Sequence, residues 1–205
     1  MRKRRFGRTG LEVSELTFGG GYVGGLLILA DDDTRRRALA RAFEAGINWI
    51  DTAPLYGQGR SEEALGWLLA EFTERPYLST KVNLDLEKLD DIPGEIERSL
   101  HASLKRLRRD TVDLLQLHNP IAARPVAGAL RASRTIGLDD ALRAADGLER
   151  MKSKGLTRYI GLTALGETPA VIRAIDSGRF DTAQVCISTL LRPNRAIVVL
   201  LIGGA

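Results

Sequence analysis

Two rhythms of apolar residues alternate along this chain of 205 residues. Short apolar runs that stop at a glycine, a proline or a polar group read as strands. Longer stretches with apolar residues three and four apart read as helices. Arg4 to Phe6 and Leu11 to Val13 flank Gly7-Arg8-Thr9-Gly10, which predicts a β-hairpin with a glycine-assisted turn. Leu16-Thr17-Phe18 is a short strand running into Gly19-Gly20-Gly21-Tyr22-Val23-Gly24-Gly25. A helix capped by Thr34 extends to about Ala45, with Leu39, Ala42 and Phe43 inside and Gly46 as its stop. Ile47, Trp49 and Ile50 make a buried strand that Asp51 ends. Ser61 then caps a helix with Glu62 and Glu63 in its first turn and Ala64, Leu65, Leu68 and Leu69 on its inner face.

The alternation repeats downstream. Tyr77 to Lys81 is a strand ending in a lysine, and Pro93 opens a helix with Ile96, Leu100, Leu104 and Leu107 at helical spacing. Thr111 to His118 is a continuous apolar strand ending in a histidine and then Asn119-Pro120. Ile121 to Gly137 has no period and reads as a long loop of the kind that binds ligands. A helix from about Asp139 to Lys154 carries Leu142, Ala145, Leu148 and Met151 inside and stops at Gly155. Tyr159 to Leu162 is a strand. Thr168-Pro169 opens a helix with Val171, Ile172 and Ile175 inside, ended by Gly178, and Thr182 to Ile187 is a sixth strand. Strands alternating with helices argue for parallel strands with crossover helices, as an open doubly wound sheet or a closed (β/α)8 barrel.

Composition narrows the function classes. Hydrophobic residues at 44% and charged ones at 27% suit one soluble globular domain over residues 1–205. The net charge of +4 owes much to Arg2-Lys3-Arg4-Arg5, read as a solvated run, with no interleaved aromatics to suggest nucleic acid. No membrane contact is expected, and the apolar run Leu26 to Ala30 is too short for a secretory signal or a span. One cysteine, Cys186, read as a small buried side chain, excludes a disulfide framework and fits a reducing cytoplasm. No metal site is expected.

Chemistry gathers at the strand ends. Asp51, Lys81 and His118 each end a strand, and Tyr56 lies on the Pro54–Gly57 loop just after Asp51. Such ends converge on one mouth in parallel α/β folds. An ammonium beside a phenol makes it a readier proton donor, and Asp51 can hold Lys81 charged and fixed. His118 can donate a hydrogen bond to a carbonyl oxygen. The set suits reduction of a C=O group, with Tyr56 giving the proton and a cofactor supplying the hydride, which no side chain can. A substrate pocket is expected around Tyr22, Trp49 and Asn119 and the loop after His118.

Phe6-Gly7-Arg8-Thr9-Gly10-Leu11-Glu12-Val13-Ser14, Asp51-Thr52-Ala53-Pro54-Leu55-Tyr56-Gly57, Ser79-Thr80-Lys81 and Asp113-Leu114-Leu115-Gln116-Leu117-His118 resemble aldo-keto reductase signatures, from about Arg4 to about Val185. The resemblance implies a (β/α)8 barrel, NADP or NAD as cofactor, a small carbonyl or sugar substrate, and a catalytic tetrad of Asp51, Tyr56, Lys81 and His118. It implies that Gln184 contacts the nicotinamide amide and that Gly19 and Gly20 allow close approach of cofactor or substrate. The style is similar to bacterial members related to aldose 1-dehydrogenases.

The sequence departs from the family in three places. Thr163-Ala164 stands where the family has Ser-Asn to hold the carboxamide, and only Thr163 can hydrogen bond. Cys186, Ile187 and Ser188 stand where an aromatic ring is usual. Six strands are clear, and 196–204 is a candidate seventh, so a C-terminally incomplete barrel of six to seven strands is expected. Its open edge would favour self-association or completion by another chain. Two rivals remain. One is an inactive fragment or a partner of an intact homologue. The other is a Rossmann dehydrogenase built on Gly19-Gly20-Gly21-Tyr22-Val23-Gly24, which needs a helix opening at those glycines.

Overall fold

The computed structural model describes residues 1–22, 24–124, 134–187 and 198–203, the segments 186–187 and 198–203 by backbone alone. The chain begins with an antiparallel hairpin, β1 (Lys3–Arg5) and β2 (Glu12–Ser14), joined through a 3-10 turn at Gly7–Thr9. Gly10 ends that turn at φ +71°, a conformation glycine adopts without strain. The main body follows as β3 (Phe18–Gly19), α1 (Leu26–Leu29), α2 (Asp32–Glu44), β4 (Trp49–Asp51), α3 (Arg60–Leu68), β5 (Tyr77–Val82), α4 (Ile92–Leu107) and β6 (Val112–Leu117). Beyond it come β7 (Ile121–Ala122), β8 (Ile136–Gly137), α5 (Leu138–Ser153), β9 (Thr157–Thr163), α6 (Thr168–Asp176), β10 (Thr182–Ile187) and β11 (Val198–Gly203).

One curled sheet has the order β3-β4-β5-β6-β9-β10-β11, and its first six strands run parallel. Those six are the strands that the apolar runs predict. Because the strands lie in chain order without reversal, the sheet has no switch point of the doubly wound kind. The glycine run opens only α1, a single turn, so the Rossmann reading fails on both counts. The candidate seventh strand pairs antiparallel to β10, from Thr182 opposite Gly203 to Ile187 opposite Val198. Residues 188–197 are too few for the crossover helix a parallel partner requires.

Helices α3, α4 and α5 pack on the outer face of the sheet. Leu65, Leu68, Ile96, Leu100, Leu148 and Leu115 are each at most 1% exposed there. A Cβ on Gly66 would strike the Arg106 carbonyl, so α3 and α4 approach closely at that glycine. Across the same seam Glu62, fully buried, accepts from Arg106 Nε at 2.7 Å and from Thr80 Oγ1 at 2.6 Å.

Several local expectations shift. Asp31, not Thr34, caps α2: its Oδ1 accepts from the Thr34 backbone N–H at 2.8 Å. Gly59 at φ +92° takes the cap of α3, while the Ser61 hydroxyl sits 2.8 Å from Thr52 Oγ1. On α6 the buried residues are Ala170, Val171 and Ala174, and Ile172 and Ile175 are exposed. Small alanines let that helix lie closer to its neighbours than isoleucines would. The long loop after His118 is pinned at its base, where β7 and β8 pair in parallel. Its residues 125–133 lie outside the described set, as does the Cys186 side chain. Among the described residues no helix is long and apolar enough to cross a membrane.

Candidate active site

Alternation along the strands sends Trp49, Ser79 and Leu114 to the inner face of the sheet, and two residues further on Asp51, Lys81 and Gln116. The register sets Asp51 beside Ser79 and Lys81 beside Gln116. At the strands' N-terminal ends the face is apolar. Phe6, Leu11 and Val13 of the hairpin pack on Trp49 and Leu114. Phe6 meets Trp49 edge-on with ring centroids 5.3 Å apart, and Tyr159 Oη donates to the Thr9 carbonyl at 2.6 Å.

At the C-terminal ends the face is polar. Lys81, 1% exposed, spends its three ammonium protons on Asp51 Oδ2 at 2.6 Å, the Thr52 carbonyl at 2.8 Å and Tyr56 Oη at 3.2 Å. A buried ammonium is tolerated only with such partners. Asp51 also accepts from Ser79 Oγ at 2.7 Å, and Gln116 Nε2 lies 3.5 Å from the same oxygen. The Tyr56 ring stands edge-on to His118 at 6.0 Å. Burial, and then the charge of Lys81, pushes the His118 imidazole down to about 4 against the upward pull of Asp51, so it is neutral at neutral pH. Among the described residues its Nδ1 is buried without a partner, which favours the N–H on Nε2, since orphaned buried N–H groups are rarer than under-satisfied acceptors.

Asp51, Lys81 and His118 from the strand ends and Tyr56 from the loop after Asp51 therefore meet in one small volume. Since the Tyr56 oxygen accepts from Lys81, its own proton is free to be given to a ligand. The other candidates fare unequally. Trp49, 1% exposed, belongs to the apolar floor, two residues below Asp51 on the inner face. Asn119 is fully buried as a brace: its amide binds the backbone of Leu84 at both N–H and C=O and the Arg134 carbonyl. Tyr22 is 64% exposed, beside Gly21, where a Cβ would meet the Tyr56 ring at 3.4 Å. A Cβ on Gly20 would run into Ser61 Oγ, so its smallness serves packing, while Gly19 faces open space. A cavity of about 340 Å³ lies beyond β5, lined by residues 83–87 and Arg134, and no tetrad residue lines it.

Gln184 and Thr163 stand side by side on β10 and β9. Gln184 Oε1 accepts from Gln116 Nε2 at 3.3 Å, so among the described residues its NH2 remains available to donate. Thr163 Oγ1 donates to the Leu117 carbonyl at 3.1 Å, which leaves it an acceptor. One donor and one acceptor match a carboxamide, so this pair fits a nicotinamide. Ser79 and Gln116 were not singled out from sequence, although each stands two residues before a tetrad residue on the same inner face.

Residues 15–197 match the Aldo/keto reductase family. The chain belongs to that family. L-galactose dehydrogenase of Arabidopsis thaliana is 33% identical over 79% of this chain and 48% of its own length. D-threo-aldose 1-dehydrogenase of Pseudomonas sp is 30% identical, over 93% of this chain and 62% of its own. The holo form of an aldo-keto reductase from Bacillus halodurans superposes with a TM-score of 0.69 at 29% identity, covering 91% of this chain and 58% of that one. The chain thus spans about half to three fifths of the length of these aldo/keto reductases.

Proposed function

We propose that this aldo/keto reductase chain carries the active site for interconversion of a carbonyl and an alcohol with NADP or NAD. The observation that carries the reading is Lys81 Nζ 3.2 Å from Tyr56 Oη while Asp51 holds it at 2.6 Å. The nicotinamide, when bound, supplies the hydride that reaches the carbonyl carbon. Tyr56 gives its phenolic proton to the carbonyl oxygen as that oxygen gains charge, so the product is a neutral alcohol. Lys81, donating to the phenol oxygen, stabilises the phenolate left behind. His118 donates from Nε2 to the carbonyl oxygen and, being neutral, does not compete as the acid. In the reverse direction the phenolate takes the alcohol proton. Thr163 and Gln184 orient the carboxamide, and Gly19 lets the ligand approach the backbone.

The sugar dehydrogenases among the relatives favour a small hydroxylated aldehyde, ketone or lactol as substrate. In this reading the curled sheet is part of a (β/α)8 barrel, the tetrad sits at the C-terminal mouth, Tyr22 stands at the rim, and the single cysteine suits the cytoplasm. Titrating NADPH and NADH while following their fluorescence, then adding glyceraldehyde and following cofactor oxidation, tests the proposal. Binding and carbonyl-dependent oxidation are expected. A chain that binds neither cofactor at millimolar concentration is the inactive form instead.

A further inference from the structure

We propose that Ser79, backed by Trp49, is a positioning residue for the Asp51–Lys81–Tyr56 array, an inference that rests on the function proposed above. The direction of each bond follows from chemistry. An indole N–H can only donate, and Trp49 Nε1 donates to Ser79 Oγ at 3.2 Å. The one Ser79 hydroxyl proton then goes to Asp51 Oδ1 at 2.7 Å, since the alternative, the Ile50 carbonyl, is longer at 3.3 Å and uncharged. The other oxygen, Asp51 Oδ2, takes Lys81. Neutral donors from the floor hold one carboxylate oxygen and the ammonium holds the other, which fixes the plane of the carboxylate.

That plane matters because Lys81 reaches the site on four flexible methylenes. Its third N–H points at Tyr56 Oη only while Asp51 Oδ2 and the Thr52 carbonyl hold the first two. Without Ser79, Asp51 Oδ1 keeps only Gln116 Nε2 at 3.5 Å, and the carboxylate can rotate. Trp49, Ser79 and Lys81 are each at most 1% exposed and Asp51 is 9% exposed, so bulk water is a poor substitute for the lost hydroxyl. The strand register builds this relay: Trp49 and Asp51 are alternate residues of β4, and Ser79 lies opposite Asp51 on β5.

The test uses the full chain with Ser79→Ala, Ser79→Thr, Trp49→Phe and Asp51→Asn, assayed with NADPH and glyceraldehyde. The two tryptophan indole N–H resonances are followed by 1H–15N NMR. Ser79→Ala should lower kcat about ten-fold while both KM values stay within about two-fold, the scale of one lost hydrogen bond to a charged group. Ser79→Thr, which keeps the hydroxyl, should recover most of the rate, and Trp49→Phe should lose about two- to three-fold because Ser79 keeps its bond to Asp51. The Trp49 indole resonance should move in Ser79→Ala and also in Asp51→Asn, which leaves its direct partner in place. An unchanged kcat in Ser79→Ala, a loss expressed through KM, or a Trp49 resonance unmoved by Asp51→Asn would overturn the proposal. If the wild type reduces no carbonyl, the proposed function fails, and the indole response still decides the relay. Should Ser79→Ala not fold, Trp49→Phe and the indole response decide it.

Discussion

The two ends of the inner sheet face are built from the same strands and behave as opposites. On β4, Trp49 faces the floor and Asp51 the rim. On β5 Ser79 lies below Lys81, and on β6 Leu114 lies below Gln116. The floor is closed by hydrocarbon from a separate hairpin, whose requirement is volume, and one hydrogen bond, from Trp49 to Ser79, leads from it toward the rim. The rim is closed by hydrogen bonds to two buried charges, and its requirement is the direction of each donor. A step of two residues along β4 or β6 therefore passes from apolar packing to hydrogen-bonded polar groups, while on β5 Ser79 joins the two levels. Changes at the rim should register in rate and changes in the hairpin's hydrocarbon in stability, with Trp49 and Ser79 as the proposed link between the two levels.

The largest expected effect is at the rim. Tyr56→Phe removes the proposed proton donor and keeps the ring, so turnover should fall by about 10²- to 10⁴-fold. NADPH affinity and the urea midpoint should stay close to wild type. Retained turnover would reject Tyr56 as the acid. Next comes the floor. Phe6→Ala deletes a buried ring that meets Trp49 edge-on, and urea unfolding should show a loss of about 3–5 kcal/mol. The kcat of the molecules that remain folded should barely change. A variant with normal stability and lost turnover would erase the distinction between the two ends.

A third expectation joins the ends through pH. His118 binds a proton near pH 4 when folded and near 6.5 when unfolded. The unfolded chain therefore takes up more protons between those values. The neutral imidazole favours the folded state fully above about pH 6.5, and that contribution is lost as pH falls toward 4. Its upper bound is about 3–4 kcal/mol, by the relation between pKa shift and stability. Urea melts of the wild type and His118→Asn at pH 7 and 4.5 should show the wild type losing more stability on acidification. An equal loss in both proteins would assign the acid sensitivity elsewhere. The smallest effect belongs to Tyr22, which is 64% exposed at the rim. Tyr22→Ala should leave stability within about 0.5 kcal/mol and change KM for the carbonyl a few-fold.

Much of this was legible in the chain. The six parallel strands follow from apolar runs that stop at polar residues, and Asp51, Lys81 and His118 are visible as those stops. Less legible were the residues whose role depends on what lies across the sheet. Trp49 reads as a pocket wall from its nearness to Asp51, yet period-two geometry turns it to the floor. Asn119 reads as a ligand contact because it follows His118, yet its amide closes on Leu84 and Arg134. Gly20 reads as an opening, yet Ser61 fills the space beside it. On α6 hydrophobicity favours Ile172 and Ile175 as the buried face, while close packing selects the alanines.

What the sequence by itself determined is the order of strands and helices, which polar residues end the strands, and the family to which those motifs belong. These depend on local spacing: the period of apolar residues and the polar group that ends each run. Only the tertiary structure decided that Ser79 and Gln116 bracket Asp51, that Gln184 keeps a free donor beside the Thr163 acceptor, and that β11 turns back against β10. The first two depend on the register between strands separated by a helix in the chain, and the third on the pairing of consecutive strands. Register is set by packing across the whole sheet, and no local run of residues encodes it.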